Sequence, residues 1–301
     1  MPGEIQNEYK TKEVGLKMTT MTKKVDFAVL IAVKNANPNG DPLNGNRPRV
    51  NYDGIGEISD VCIKRKMRNR FLDRGHSIFV QSNDYRIDEY TSLRKRAEGE
   101  LGESMKDPEK LRIEACKKWL DVRAFGQVFA YSGSKKGEGV SVGIRGPVSI
   151  QSAFSVAPIT TTSIQITKSV SDEGDGKTRT SDTMGMKHRV DHGLYVSYGS
   201  INTQLASRTG FSDEDVEEVK QALIHLFDND ASSARPEGSM EVHKVIWWEH
   251  PNATGKYSSA KVHRSLNIAL KAGVVDPRDI DDYEITLDEL EGISATIYEG
   301  K

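Results

Sequence analysis

Five cations fall between positions 64 and 70, namely Lys64, Arg65, Lys66, Arg68 and Arg70. Chemistry open to such a group is the holding of phosphate. Ile63, Met67 and Phe71 recur among them at i, i+4 and i+8, so the segment reads as a helix with one apolar stripe, capped by Ser59 or Asp60. On that helix Lys64 and Arg68 stand one turn apart on a shared face, with Arg65 beside them. The helix N-terminus adds partial positive charge and free N–H groups. The preceding loop, NANPNGDP at 35–42 and LNGNRPR at 43–49, is packed with residues that hold tight turns and cannot continue a strand. Loop and helix start together make a phosphate-binding corner. Neither G-x-x-x-x-G-K-[ST] nor G-x-G-x-x-G is present, so a repeated phosphate backbone fits better than a single nucleotide. The competing reading is a basic helix face that is merely solvated, the usual role of a charge run.

A strand must deliver that corner. Val25, Phe27, Val29, Ile31 and Val33 alternate with Asp26, Ala28, Leu30 and Ala32, apolar on both faces, which describes a central strand. Further on, residues 77–81 read as a short strand. A helix runs from the Asp107-Pro108 start to about 121, and Gly126 allows close packing. Residues 132–139 form a Gly/Ser/Lys loop, and 148–156 a second core strand. The chain from 158 to 189 is polar and Thr-rich, and SDEGDGK at 171–177 forbids regular structure. Strand resumes at 188–198. Ser212 opens an amphipathic helix with Val216, Val219, Leu223 and Phe227 inward. A strand at 240–248, a helix at 258–271 and a strand at 292–298 complete the reading. This order suggests an α+β fold, an antiparallel split βαβ sheet with long insertions.

The 301 residues carry 42 Lys plus Arg against 44 Asp plus Glu, a formal charge of −2. The charge is segregated: positions 21–75 hold 11 basic and 6 acidic residues, whereas 200–301 hold 10 basic and 19 acidic. One face can therefore hold a polyanion while another avoids it or meets a basic neighbour. Two cysteines, Cys62 and Cys116, make neither a zinc motif nor a disulfide framework, and fit reduced thiols in a cytosol. No apolar run approaches the ~20 residues that span a bilayer, and the first twenty residues lack a signal-peptide core. Lys12-Glu13-Val14 can be encoded by a ribosome-binding-like sequence, so residues 1–20 are expected to be a disordered leader, with the true start at Met18 or Met21.

Four stretches occur in an order that carries a resemblance: NANPNGDP (35–42), DVCIKRKMRN (60–69), DVRAFG (121–126) and GLYVSY (193–198). As a set they resemble the repeated backbone subunit of the type I-C CRISPR Cascade complex, the Csd-type branch of its superfamily, from about 25 to about 273. The resemblance implies an RRM-like (ferredoxin-like) antiparallel palm over 21–301, with helical fingers at about 76–140 and a protruding thumb at about 159–192. It implies a non-catalytic, cytoplasmic protein without cofactor or metal. Several copies would polymerise along one crRNA that pairs with target DNA, beside a 5′-handle-binding subunit, a large subunit and a small subunit, and away from any membrane. Carried over by motif, crRNA phosphates would meet Lys64, Arg65 and Arg68, with Ser59 at the helix entry and Asn37, Asn39, Arg47 and Arg49 in the loop. In the thumb, Met184 or Met186 would be the wedge between bases, with Arg179, Lys187 and Arg189 near phosphates.

Other chemistry competes for several of these residues. His188 and His192, with Asp191, hint at a metal, but structural histidines outnumber ligands. Trp247-Trp248 and His250 have base-stacking types, although tandem aromatics in a strand are more often one core and one partly exposed. Asp41 matches the position of a cleaving aspartate in RNA-targeting relatives, which makes a metal-dependent nuclease the alternative function. Before Pro42, its turn-forming role is preferred.

Overall fold

β1 (Val25–Ala36) is central because both of its faces are apolar. Phe27, Val29, Ile31 and Val33 enter one buried cluster, and Ala28 and Leu30 enter another on the far side of the sheet. The computed structural model describes residues 20–131, 139–167 and 184–301. The polar run after β1 contains more strand than its composition implies: β2 (Gly40–Asp41) pairs with β3 (Arg47–Val50), and β3 with β4 (Ile55–Ile58). Gly45 and Asn46 turn the chain at φ 58° and 60°, a region that Gly and Asn enter at low cost. β4 feeds α1 (Asp60–Asp73), whose Ile63, Met67 and Phe71 pack against the odd-numbered face of β1.

A helical excursion follows, with α2 (Leu93–Leu101), α3 (Pro108–Lys118) and α4 (Leu120–Phe125), closed by the hairpin of β5 (Gly126–Tyr131) and β6 (Val140–Arg145). It has its own core around Phe79, Trp119 and Phe129. Residues 77–81 are not the expected strand; the Asp121 carboxylate, not a neighbouring strand, accepts from Phe79 N at 2.6 Å and Val80 N at 3.0 Å. The expected 107–121 helix begins at its Asp107 cap but breaks at Trp119, whose φ −118° and ψ 119° are extended. The break lets Leu120 N donate to Ser77 O. Gly126 sits at φ 81°, and a Cβ there would lie 2.3 Å from Ile144 O, so hairpin and helix meet only through glycine.

The second core strand is two pieces, β7 (Val148–Ile150) and β8 (Ala153–Pro158), because Gln151 N donates to Tyr198 O between them. Both pair with β10 (Met184–Ile201). β9 (Thr161–Thr167) pairs with the first turns of β10, so β10 starts at Met184 rather than 188 and the excursion returns as a β-ribbon. After α5 (Thr203–Thr209), α6 (Asp213–Ile224) starts at a capping box of Ser212 and Asp215 and sets Val219 and Leu223 on the α1 face. β11 (Met240–Glu249) flanks β1 on the other side. The expected 258–271 helix is only α7 (Ser259–His263); the rest is β12 (Leu266–Leu270), held by β13 (Tyr283–Leu287). This C-terminal lobe packs Val262, Leu266 and Tyr283 onto Ala28 and Leu30. β14 (Ala295–Glu299) completes a sheet of order β14-β11-β1-β10-β8-β4-β3-β2, with antiparallel pairing along it. The protein is thus mixed α+β, built on an antiparallel sheet. Trp247 and Trp248 are both buried, one in each layer, which removes them as stacking platforms.

Candidate nucleic-acid interface

The junction of loop and helix is built by short polar side chains. Ser59 caps α1, its Oγ accepting from Cys62 N at 3.3 Å. The Ser59 N–H and O–H both donate to Asn39 Oδ1, at 2.9 and 2.8 Å. Asn37 is buried and donates from Nδ2 to Asn46 O at 2.7 Å. These groups shape the loop, and Asn39 Oδ1 gives both of its acceptor sites to Ser59. One acceptor is left over: Asn37 Oδ1 is buried with no partner among the described residues.

The apolar stripe sorts the cations of α1. Lys66 and Arg70 are buried. Lys66 pairs with Asp230, and burial pushes its ammonium pKa down. Arg70 pairs with Asp73 at 2.7 Å. Arg68 turns inward too: its Nε donates to Asp121 at 2.8 Å, and the guanidinium lies 5.1 Å from the Phe125 ring centre. The expected pairing of Lys64 with Arg68 on one phosphate-facing surface is therefore not what the structure assembles, because a buried carboxylate claims Arg68. Lys64 is partly exposed and Arg65 exposed, against the half-exposed carboxylate of Asp60 (2.9 Å) and the exposed one of Asp84 (3.7 Å). Solvent-screened pairs of this kind contribute about 0–1 kcal/mol, so a phosphate competes for both cations at little cost.

Strand register places the loop arginines. Asp41 lies opposite Arg47, Arg49 opposite Glu57, Glu57 opposite Phe154, Phe154 opposite Val196 and Val196 opposite Leu30. Directly opposed residues share a face, so Arg47 and Arg49 belong to the Leu30 face, whereas α1 covers the other. Arg47 is exposed and makes no ion pair among the described residues. Arg49 Nη2 is 3.6 Å from Asp41 Oδ1, and its Nε is buried without a partner among them. Asp41 Oδ1 also accepts from Leu43 N at 3.2 Å, the turn-forming role of an Asp before Pro.

The β9–β10 ribbon is two-faced. Met184 and Met186 lie opposite Thr167 and Gln165 on one side, while Lys187 and Arg189 lie opposite Ile164 and Thr162 on the other. Both methionines are exposed, at 67% and 54%. Arg189 Nε is 3.4 Å from Asp191. Arg179 lies outside the described residues. His188 is buried and hydrogen-bonded to Ser163 Oγ at 2.8 Å. His192 is buried with neither ring nitrogen partnered among the described residues, and burial pushes its pKa down. Among the described residues no group of three His, Cys, Asp or Glu side chains could hold a metal ion, and no helix is long and apolar enough to cross a membrane.

A family model described as CRISPR-associated protein Cas7 matches residues 23–288, which span the central strand, the corner, the ribbon and most of the C-terminal lobe. The chain belongs to the CRISPR-associated Cas7 family. It is 26% identical to the CRISPR-associated protein Cas7 of Haloferax volcanii over 233 residues, covering 72% of this chain and 67% of that protein. Two solved chains are also similar. One, from a structure described as a CRISPR RNA-guided surveillance complex, pre-nicking, is 14% identical with a TM-score of 0.45, over 75% of this chain and 78% of the other. The second, from a CRISPR RNA-guided surveillance complex, is 18% identical with a TM-score of 0.43, over 75% and 68%.

Sequence reasoning missed Asp121 as the anchor of this Cas7 chain's corner. The signal available was an acid at the head of an otherwise apolar, arginine-containing run, DVRAF, since a buried carboxylate requires a cation or several N–H donors. It also missed the β2–β3 hairpin, whose only trace is the NGN turn between two short polar arms.

Proposed function

We propose that this Cas7-family chain is the crRNA-binding backbone subunit of a type I-C CRISPR Cascade complex, non-catalytic and cytoplasmic, polymerising along the guide and supporting its pairing with target DNA. The observation that carries the reading is the pair Lys64 and Arg65, outward at the start of α1 beside a loop cinched by Asn39 and Ser59. These two cations, with Arg47 and Arg49 on the neighbouring hairpin, bind guide phosphates. Asn37, Asn39 and Ser59 hold the shape of the loop, and Arg68 holds α1 in place through Asp121. The connectivity β1–α1–β7/β8–β10–α6–β11, with spatial order β11-β1-β10-β8, supports an RRM-like palm over 21–301. The 76–140 excursion serves as fingers and the ribbon within 159–192 as the thumb. Exposed Met184 or Met186 is the wedge between bases, with Lys187 and Arg189 towards phosphates; Arg179, outside the described residues, joins them. Partners are further copies of the chain, a 5′-handle-binding subunit, a large subunit and a small subunit.

Asp41 is part of a turn in this reading, and no cofactor takes part. The test is to purify the full chain, ask whether RNA accompanies it stoichiometrically, and incubate the complex with Mg²⁺. Intact RNA bound without regard to sequence is the expected result. RNA cut with turnover, and spared by Asp41→Ala, would establish the nuclease alternative instead.

A further inference from the structure

Three elements outside the corner converge on one cleft of about 410 Å³. α3 contributes Arg112, β6 contributes Arg145 and α5 contributes Arg208, over a floor that includes Gly143 and Ile144. Arg112 is fixed there: Nη1 donates to Arg208 O and Nη2 to Glu109, both at 2.7 Å. Arg145 and Arg208 have no ion pair among the described residues. Three guanidiniums and one solvent-exposed carboxylate leave a concave surface of positive potential, and guanidinium forks match carboxylates bidentately.

The position of the cleft argues against the guide as its occupant. α5 follows Ile201, and Val148, three residues after Arg145, pairs with Ile201, which pairs in turn with Val25. The corner lies beyond Ala36, at the other end of the 12-residue β1, roughly 40 Å away at ~3.3 Å per residue. The cleft and an acidic surface lie on opposite faces of the sheet. The helices α4 and α5 beside the cleft bury Leu120, Ala124 and Ala206 in the layer of Phe27 and Val29. On the other layer sits the C-terminal lobe, where Asp281, Glu284, Asp288 and Glu289 are exposed with no cation partner among the described residues and outnumber Lys261, Arg264 and Lys271, which are exposed there and likewise make no ion pair among them. Opposite charge on opposite faces of one sheet meets the need of an open head-to-tail contact for two surfaces that differ and complement each other.

We propose that the Arg112–Arg145–Arg208 cleft receives carboxylates from the C-terminal lobe of a second copy of this chain, and that this contact sets the direction of growth. It rests on the proposed polymerisation of this chain along the guide. The test uses two charge-reversed full-length variants, Arg145→Glu/Arg208→Glu and Asp288→Lys/Glu289→Lys, with single-stranded RNA of two lengths. One RNA is titrated short enough to hold a single copy and the other is several times longer. Each variant alone sets like charges against each other and should need roughly tenfold more protein, or beyond, to reach wild-type mass on long RNA. Affinity for the short RNA should stay unchanged, which also reports that the variants are folded. An equimolar mixture should recover assembly, because each reversed surface then meets its complement. Failure of the mixture to recover, or normal assembly by the arginine variant alone, overturns the proposal. Loss of short-RNA binding by that variant does so too, by making the cleft a nucleic-acid contact. Wild-type chain that binds short RNA yet never assembles on long RNA would defeat that polymerisation itself, and the contact with it.

Discussion

Asp121→Ala removes the acceptor that ties α1 to the 79–80 backbone. The Asp121 side chain is 1% exposed and accepts three hydrogen bonds, from Phe79 N (2.6 Å), Val80 N (3.0 Å) and Arg68 Nε (2.8 Å). Truncation strands a largely buried guanidinium and two backbone donors. Removing one partner of a buried ion pair costs about 3–5 kcal/mol. That range already contains much of the penalty for the stranded donors, so ~4 kcal/mol is expected. Arg68→Ala leaves Asp121 with two of its three donors and should cost less, about 1.5–3 kcal/mol, the range for a hydrogen bond to a charged group. The double variant should lose no more than Asp121→Ala alone, because the guanidinium no longer needs a partner once it is gone. Urea unfolding measures all three as shifts in midpoint at constant slope, and RNA affinity is then measured on the folded proteins. If Arg68→Ala leaves the midpoint where it was and weakens RNA binding more than about tenfold, Arg68 is a phosphate ligand and the assignment to Asp121 is refuted.

Replacing Lys64 and Arg65 together with Ala should lower RNA affinity for all sequences alike. The log–log salt slope should shrink by about 1.4, at ~0.7 for each single-strand phosphate no longer neutralised; an unchanged slope places both side chains outside the interface. Burial pushes the imidazole pKa values of His192, His243 and His263 below their ordinary 6.5. The unfolded chain therefore takes up protons first, and stability should fall as pH drops through 6.5, above the carboxylate range. His192→Phe should make that decline shallower without lowering the melting temperature at pH 8, since neither ring nitrogen has a partner among the described residues. A steeper decline would contradict this. Burial also pushes the thiol of Cys62 up and that of Cys116 to about 11. Both should resist Ellman's reagent at pH 8 until urea is added; fast labelling of either in the native protein would show the packing to be wrong.

The central strand was legible because its alternation is apolar on both faces, and α1 because its stripe and cap recur at helical spacing. The helix expected over 258–271 was not, since Val262 and Leu266 fit a helical period equally well and only pairing with β13 makes Leu266–Leu270 a strand. Likewise Trp119 looks like a continuing helical position until Ser77 accepts from the next residue. In the candidate site, the cations were found by type, but their sorting was hidden. Nothing local to positions 64–70 shows that Asp230 lies under Lys66 or Asp121 under Arg68. The resemblance sets Arg47 and Arg49 in one phosphate site with the start of α1, whereas register from β3 through β4, β8 and β10 to β1 assigns them to the other face.

The proposed function rests on repetition of this chain along RNA. Its mass by light scattering should be measured with single-stranded RNAs of increasing length at low and high salt. The expected result is a monomer or small oligomer without RNA, a mass that grows in equal increments with RNA length, and shorter assemblies at high salt as phosphate contacts are screened. A closed oligomer of fixed mass, the same at every RNA length, would contradict it.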